Sequence, residues 1–239
     1  MATSIPTPQI AHFTEEDYRD IYEPAEDSFI LLDALEKDAD LIRLTEPTLS
    51  VEIGSGSGIV SAFISHLIRP GCTAHVATDI NEKACAATLR TAQANTASLD
   101  ALRCHLVGPL FDRVQGQIDL LVFNPPYVPT DEDEQRLRYT QEDQGIGGAW
   151  AGGHEGMVIT ERVLDIVPSL LSTRGRFYLV TIEQNNPSAI MQRMESRLDS
   201  TVSRSDSYIL TKQIVLRRRA GRELLSVICF TLKGTQNLS

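Results

Sequence analysis

Cysteine is scarce in this sequence, and none is placed to work in pairs. Cys72, Cys85, Cys104 and Cys229 are scattered, with no C-x-x-C spacing among them. That argues against a zinc site or a disulfide framework and fits reduced thiols in a cytoplasmic or nuclear protein. The histidines, His12, His66, His75, His105 and His154, show no metal-ligand spacing, so no metal is assigned to the chain. No apolar run approaches the roughly 20 residues that span a bilayer, and no membrane contact is expected. Residues 1–20 lack both the basic and the apolar stretch of a secretory signal. Linkers, repeats and low-complexity stretches are missing too. The expectation is a flexible segment over 1–20 followed by a single domain over 21–239. Basic charge is also in deficit, with a net charge of −10. A chain that grips phosphate backbones is usually basic, so duplex DNA is disfavoured as a partner. A protein partner, particularly a basic one, is compatible with that charge.

Apolar residues make up 42% of the chain, enough for a sizeable core. A helix is expected to open near Pro24, where proline suits a first turn and Glu26 and Asp27 complement the helix dipole. Four short apolar runs read as buried strands: Leu49–Ile53, His75–Ile80, Ile118–Phe123 and Arg176–Ile182. Helical stretches at Ile59–Ile68, Glu82–Ala97 and Val158–Leu171 separate them. Strand alternating with helix predicts an α/β fold with a parallel sheet covered on both faces. A fifth strand is expected at Arg103–Val107, on one edge of the sheet. Gln213–Arg217 and Leu224–Leu232, with Ala220-Gly221 as turn signal, predict an antiparallel hairpin at the carboxyl end. Seven mostly parallel strands ending in such a hairpin make a Rossmann-like class I methyltransferase sheet, and depart from dinucleotide dehydrogenases.

Between the first strand and first helix stands Glu52-Ile53-Gly54-Ser55-Gly56-Ser57-Gly58. The glycines allow a sharp turn and close approach to a ligand. The G-x-G-x-x-G of dinucleotide binding fails, because Ile59 holds the place of the third glycine. A phosphate loop needs a Gly-Lys pair and a hydrolase elbow needs G-x-S-x-G; neither occurs. Asp79 ends the second strand, 25 residues after Gly54. A carboxylate there can accept hydrogen bonds from both ribose hydroxyls of an adenosyl group. Glu52 can meet the cationic methionine part of the same cofactor, S-adenosylmethionine.

Asn124-Pro125-Pro126-Tyr127 follows the fourth strand, at the sheet edge where ligands bind in open α/β folds. Two prolines remove two N–H donors, so this backbone can only accept hydrogen bonds. That suits a substrate –NH2 group: the Asn124 side-chain oxygen takes one proton and the Pro125 carbonyl the other. Tyr127 can stack on the planar group. The lone pair of an amide or aryl amine nitrogen is delocalised. Such a site must therefore supply orientation and stabilise developing positive charge rather than offer a strong base.

Tyr22-Glu23-Pro24-Ala25-Glu26-Asp27-Ser28, the glycine loop, Asp79-Ile80-Asn81, Asp119–Asn124, Asn124–Val128 and Ala149-Trp150-Ala151-Gly152-Gly153 occur in this order. The chain thereby resembles HemK-type protein glutamine methyltransferases, most closely their eukaryotic cytosolic branch, over roughly residues 18–232. The resemblance implies methylation of the glutamine in the Gly-Gly-Gln loop of the class I translation termination factor. It also implies a small zinc-binding activator subunit as partner in a heterodimer, and no extra amino-terminal substrate domain. Ser28, Glu52, Gly54, Gly56, Asp79, Ile80 and Asn124 would contact the cofactor, and Asn124, Pro125 and Tyr127 would hold the substrate. Where relatives often carry an acid near the adenine, this chain has His105-Leu106. Histone lysine and DNA adenine stay open as alternative acceptors. The acidic stretch Asp131–Glu134 with Glu142 and Asp143 suits a basic peptide or is a solvated loop. Arg217, Arg218, Arg219 and Arg222 ring the hairpin turn, as solvated charges or as a contact for the substrate protein or an RNA-bearing assembly.

Overall fold

The computed structural model describes residues 4–68, 71–126, 157–201 and 208–234. Its strands are β1 (Leu49–Ile53), β2 (Ala74–Asp79), β3 (Asp100–Arg103), β4 (Ile118–Phe123), β5 (Leu171–Ile182), β6 (Tyr208–Ala220) and β7 (Glu223–Gly234). The described helices are α1 (Glu26–Lys37), α2 (Ala39–Leu44), α3 (Ile59–Leu67), α4 (Glu82–Ala94), α5 (Phe111–Val114), α6 (Val158–Leu170) and α7 (Pro187–Thr201).

All seven strands form one sheet in the order β3-β2-β1-β4-β5-β7-β6. β1 to β5 run parallel, and β7 inserts antiparallel between β5 and β6. This is the α/β architecture the sequence predicts. Every residue of β4 is buried, as a parallel strand covered on both faces must be. On one face Leu120, Val122, Tyr178 and Val180 pack under α1, α2 and α3. On the other, Val51, Ile53, Phe123, Phe177 and Leu179 pack under α6 and α7. The order of strands reverses between β1 and β4, which opens a crevice at their carboxyl ends.

Two expectations need correction. The edge strand is Asp100–Arg103 rather than Arg103–Val107. Its last rung is the Cys104 N–H donating to Asp79 O at 2.9 Å; Leu106 then turns left-handed at φ 52°, and Gly108 N closes a turn on His105 O. Val107 is buried in the core and half-buried Leu106 packs against it, so these residues serve packing rather than a ladder. The outer hairpin strand, β6, is also longer than its apolar run, because an edge strand can carry exposed charge without losing its one ladder. Residues 4–20 lie against α1 and α4. Ile5 and Phe13 are buried, Ile5 N donates to Glu36, Gln9 N to Asn95, and Arg90 pairs with Asp17 at 2.6 Å.

Candidate active site

The carboxyl ends of β1, β2 and β4 bring three segments together. After β1, Gly54 N and Ser55 N both donate to Thr78 O, at 2.8 and 3.1 Å, and draw the loop over the end of β2. Gly56 N donates to Asp79 Oδ2 at 2.9 Å, so the glycine loop is clasped to the second strand. Gly54 (φ +72°) and Gly56 (φ +53°) hold left-handed conformations that favour glycine. Gly58 (φ +79°) answers a different need. A Cβ there would lie 2.5 Å from Thr88 Cα, so this glycine lets α4 approach the start of α3. Two α4 threonines fasten the loop: Thr88 donates to Ser55 Oγ at 2.8 Å and Thr91 to Ser57 O at 2.7 Å. Sequence reasoning did not find these two. Threonine on a helix face carries no signal until the loop it holds is known.

Burial raises the pKa of both carboxyls beside the loop. Glu52 is buried, and its Oε2 accepts from Ser61 Oγ on α3. Burial pushes its pKa up to about 8 against that hydrogen bond, and the Asp79 carboxylate adds to the rise. Burial raises Asp79 as well, opposed by the N–H groups of Gly56, Asn81 and Ile80. Each Asp79 oxygen already accepts one of these, Gly56 N on Oδ2 and Asn81 N on Oδ1, and each keeps a lone pair for a ligand hydroxyl. Asn81, not among the expected site residues, organises this corner. It caps α4 through Lys83 N and donates to Asp20 O at 2.7 Å.

The flanks of Asp79 are apolar. Ile80 is 44% exposed, unusual for a large aliphatic group unless something covers it. The Cys104–Asp79 hydrogen bond brings the turn bearing the exposed His105 and half-buried Leu106 to the same edge. Across the glycine loop, the Tyr22 Cβ lies 3.5 Å from where a Gly56 Cβ would be. Tyr22 OH donates to Asp27 Oδ2 at 2.7 Å, and Asp27 Oδ1 accepts from Ser28 N at 2.6 Å. Ser28 is buried in the first turn of α1, its hydroxyl 3.3 Å from Asp27.

At the end of β4, Pro125 is buried and Asn124 half-buried. Asn124 Oδ1 is buried, and among the described residues it has no hydrogen-bond partner. Leaving such an acceptor unsatisfied costs about 1–3 kcal/mol, and this one sits at the crevice mouth. Asp119, at the other end of β4, does a structural job instead. It is buried, but bonds from Ser172, Thr48 and Arg174 hold its carboxyl below the usual range. Tyr127, the acidic stretch 131–143 and residues 149–153 lie outside the described residues.

No family model matches the chain. The mouse methyltransferase HEMK2 is 43% identical to it over 231 residues, covering 96% of this chain and 98% of that protein. The chain belongs to the HemK-type methyltransferases. Within this family it is also 34% identical to the Schizosaccharomyces pombe eRF1 methyltransferase catalytic subunit mtq2, over 93% of this chain and 94% of that one. The solved E. cuniculi Mtq2–Trm112 complex, described as responsible for methylation of the eRF1 translation termination factor, superposes with a TM-score of 0.58. It is 25% identical and covers 89% of this chain and 98% of that chain.

As a HemK-type methyltransferase the chain uses S-adenosylmethionine, and the edge described above fits it. The buried Glu52 carboxyl can answer a cation by releasing its proton, Asp79 keeps acceptor lone pairs for hydroxyls, the exposed Ile80 matches a flat apolar ring, and the open loop at Gly54 admits close approach.

Proposed function

We propose that this chain transfers a methyl group from S-adenosylmethionine to the side-chain amide nitrogen of the glutamine in the Gly-Gly-Gln loop of the class I translation termination factor. The observation that carries the reading is the unpartnered Asn124 oxygen beside two prolines, at the carboxyl end of β4. An amide –NH2 offers two protons. Asn124 Oδ1 takes one and the Pro125 carbonyl the other, which aims the nitrogen lone pair along one direction. Tyr127 is assigned, on sequence alone, to stack on the amide plane. When bound, S-adenosylmethionine supplies an electrophilic methyl carbon. Asp79 holds its ribose hydroxyls, Ile80 with His105 and Leu106 flanks its adenine, and Gly54 and Gly56 allow its close approach. Glu52 and Ser28 face its methionine end. As the new N–C bond forms and the methyl carbon's bond to sulfur breaks, leaving neutral S-adenosylhomocysteine, the Asn124 and Pro125 oxygens would stabilise the positive charge on nitrogen, and a proton would leave to water afterwards.

The test offers termination factor, histones and duplex DNA side by side, with the activator subunit present. Methyl groups should appear on the factor's glutamine. Preferential labelling of histone lysine or DNA adenine would overturn the reading.

The partner belongs to the same proposal. β3 is a four-residue edge strand whose residues are all exposed or half-buried, paired on one side only with β2. Such an edge offers backbone groups for a second chain to continue the sheet. We assign the small activator, expected to bind zinc itself, to this edge. Amide hydrogens of residues 100–103 should exchange slowly only in the heterodimer. Protection confined to the β6–β7 hairpin would place the interface at the opposite edge.

A further inference from the structure

The tip of the β6–β7 hairpin carries four arginines within six residues, Arg217, Arg218, Arg219 and Arg222, in a chain of net charge −10. The sheet register locates this tip. Phe123, the residue before Asn124, is level with Leu179 of β5, Ile228 of β7 and Ile214 of β6. The hairpin continues past that level to Ala220. At 3.3 Å per residue its tip stands roughly 10–15 Å beyond the catalytic edge, three strand spacings or about 14 Å to one side.

A bulge decides which arginines are free. The pairing of β6 with β7 shifts between Ile214 and Leu216, leaving Val215 as an extra residue. Ile214 packs on the cluster under α6 and α7, whereas Val215 and Leu216 both pack on the cluster under α1. The bulge thus inverts the alternation of the strand beyond it. Arg218 is turned onto α1, where it pairs with Asp33 and, at 3.8 Å, with Glu26. Arg217 and Arg219 are turned away from α1. They and Arg222 are exposed, and among the described residues none of the three has an ion-pair partner. Lys37 Nζ, donating to Val215 O at 2.8 Å, braces the bulge from α1.

We propose that Arg217, Arg219 and Arg222 form a docking surface for an acidic face of the protein substrate, holding it beside Asn124 while its glutamine enters the crevice. This rests on the protein-substrate reading above. A phosphate backbone fits less well, because the long-range field of a chain at −10 repels a polyanion. Screening beyond about 8 Å lets a local acidic face meet these arginines without approaching the rest of the surface. Simple protection of an edge strand needs charge anywhere along β6. It does not need a braced bulge that ties down one arginine and frees its neighbours. β6 and β3 are opposite edges of the sheet, so such docking leaves the β3 edge to the activator.

The experiment compares the activator-bound enzyme with its R217E/R219E/R222E variant and the milder R217Q/R219Q/R222Q. Intact folding is checked by S-adenosylhomocysteine affinity. Substrates are the whole termination factor and a short peptide carrying its Gly-Gly-Gln loop, and factor binding is also read by anisotropy with S-adenosylhomocysteine present. Reversal should raise KM for the whole factor about tenfold or more with kcat unchanged, as for rim charges that steer association, and weaken its binding alike. The glutamine variant should fall between, peptide kinetics should not change, and the salt dependence of the parent should flatten. Unchanged binding of the factor, or an equal loss on the peptide, overturns the proposal. So does tip-dependent retention of a 20-nucleotide RNA with factor binding indifferent to the tip. Tip-dependent binding of the factor without methyl transfer would support docking while refuting the glutamine reading.

Discussion

Asn124→Ala is expected to lower turnover on the termination factor by at least about a thousandfold, the upper range for losing one preorganised group at a developing charge. Stability should be unchanged or slightly higher. The deleted Oδ1 is a buried acceptor with no partner, so its loss orphans no donor in the protein. Asn124→Gln should be nearly as severe. It keeps the amide but displaces the oxygen by one methylene, and orientation is the main catalytic contribution here. Single-turnover rates with the activator present, alongside thermal unfolding, make the comparison. A variant retaining a tenth of the parental rate would remove Asn124 from its role.

Glu52→Gln should move stability and cofactor binding in opposite directions. The pKa of Glu52 is about 8 in the fold, against an ordinary 4.5 in the unfolded chain. Below pH 4.5 the carboxyl is protonated whether folded or unfolded, and costs nothing. As pH rises from 4.5 towards 8, only the unfolded chain readily releases the proton, so the folded protein loses stability across that window. At pH 7 the loss is on the order of 3 kcal/mol, and glutamine, still able to accept from Ser61, should recover it. The gain over the parent in denaturant unfolding should be near zero at pH 4.5 and grow up to pH 8. The same substitution should weaken S-adenosylmethionine binding, because the parent answers the cation by releasing the Glu52 proton. Calorimetry at pH 7 in buffers of different ionisation enthalpy should detect that proton in the parent and not in the variant. A gain that does not vary with pH would show that Glu52 is ionised in the free protein.

The high pKa of Glu52 has a functional sense. It and Asp79 crowd two acidic groups under one loop, and burial raises both. A cation arriving at this edge relieves that stress. Residues of an active site are commonly held in states the fold alone would avoid, and the stability cost is recovered on binding.

Much of this was legible in the order of residues. β1 and β4 fall at their expected limits, since a short apolar run flanked by a glycine loop or by Asn-Pro-Pro has only one local reading. Gly54, Asp79 and Asn124 were singled out by the same means. Each stands where a strand ends, and in a parallel sheet all such ends share one edge. What only the tertiary structure decided depends on groups remote in sequence. Gly58 is required by Thr88, thirty residues on. The proton on Glu52 is set by what covers it from α3 and by Asp79. The alternation over 102–107 reads as a strand until the core claims Leu106 and Val107. Arg217 and Arg219 of the hairpin tip point away from α1 because one inserted residue reverses which way its neighbours point. A period of two in sequence states that neighbours face opposite ways, and only the packing on either side of the sheet states which way is in.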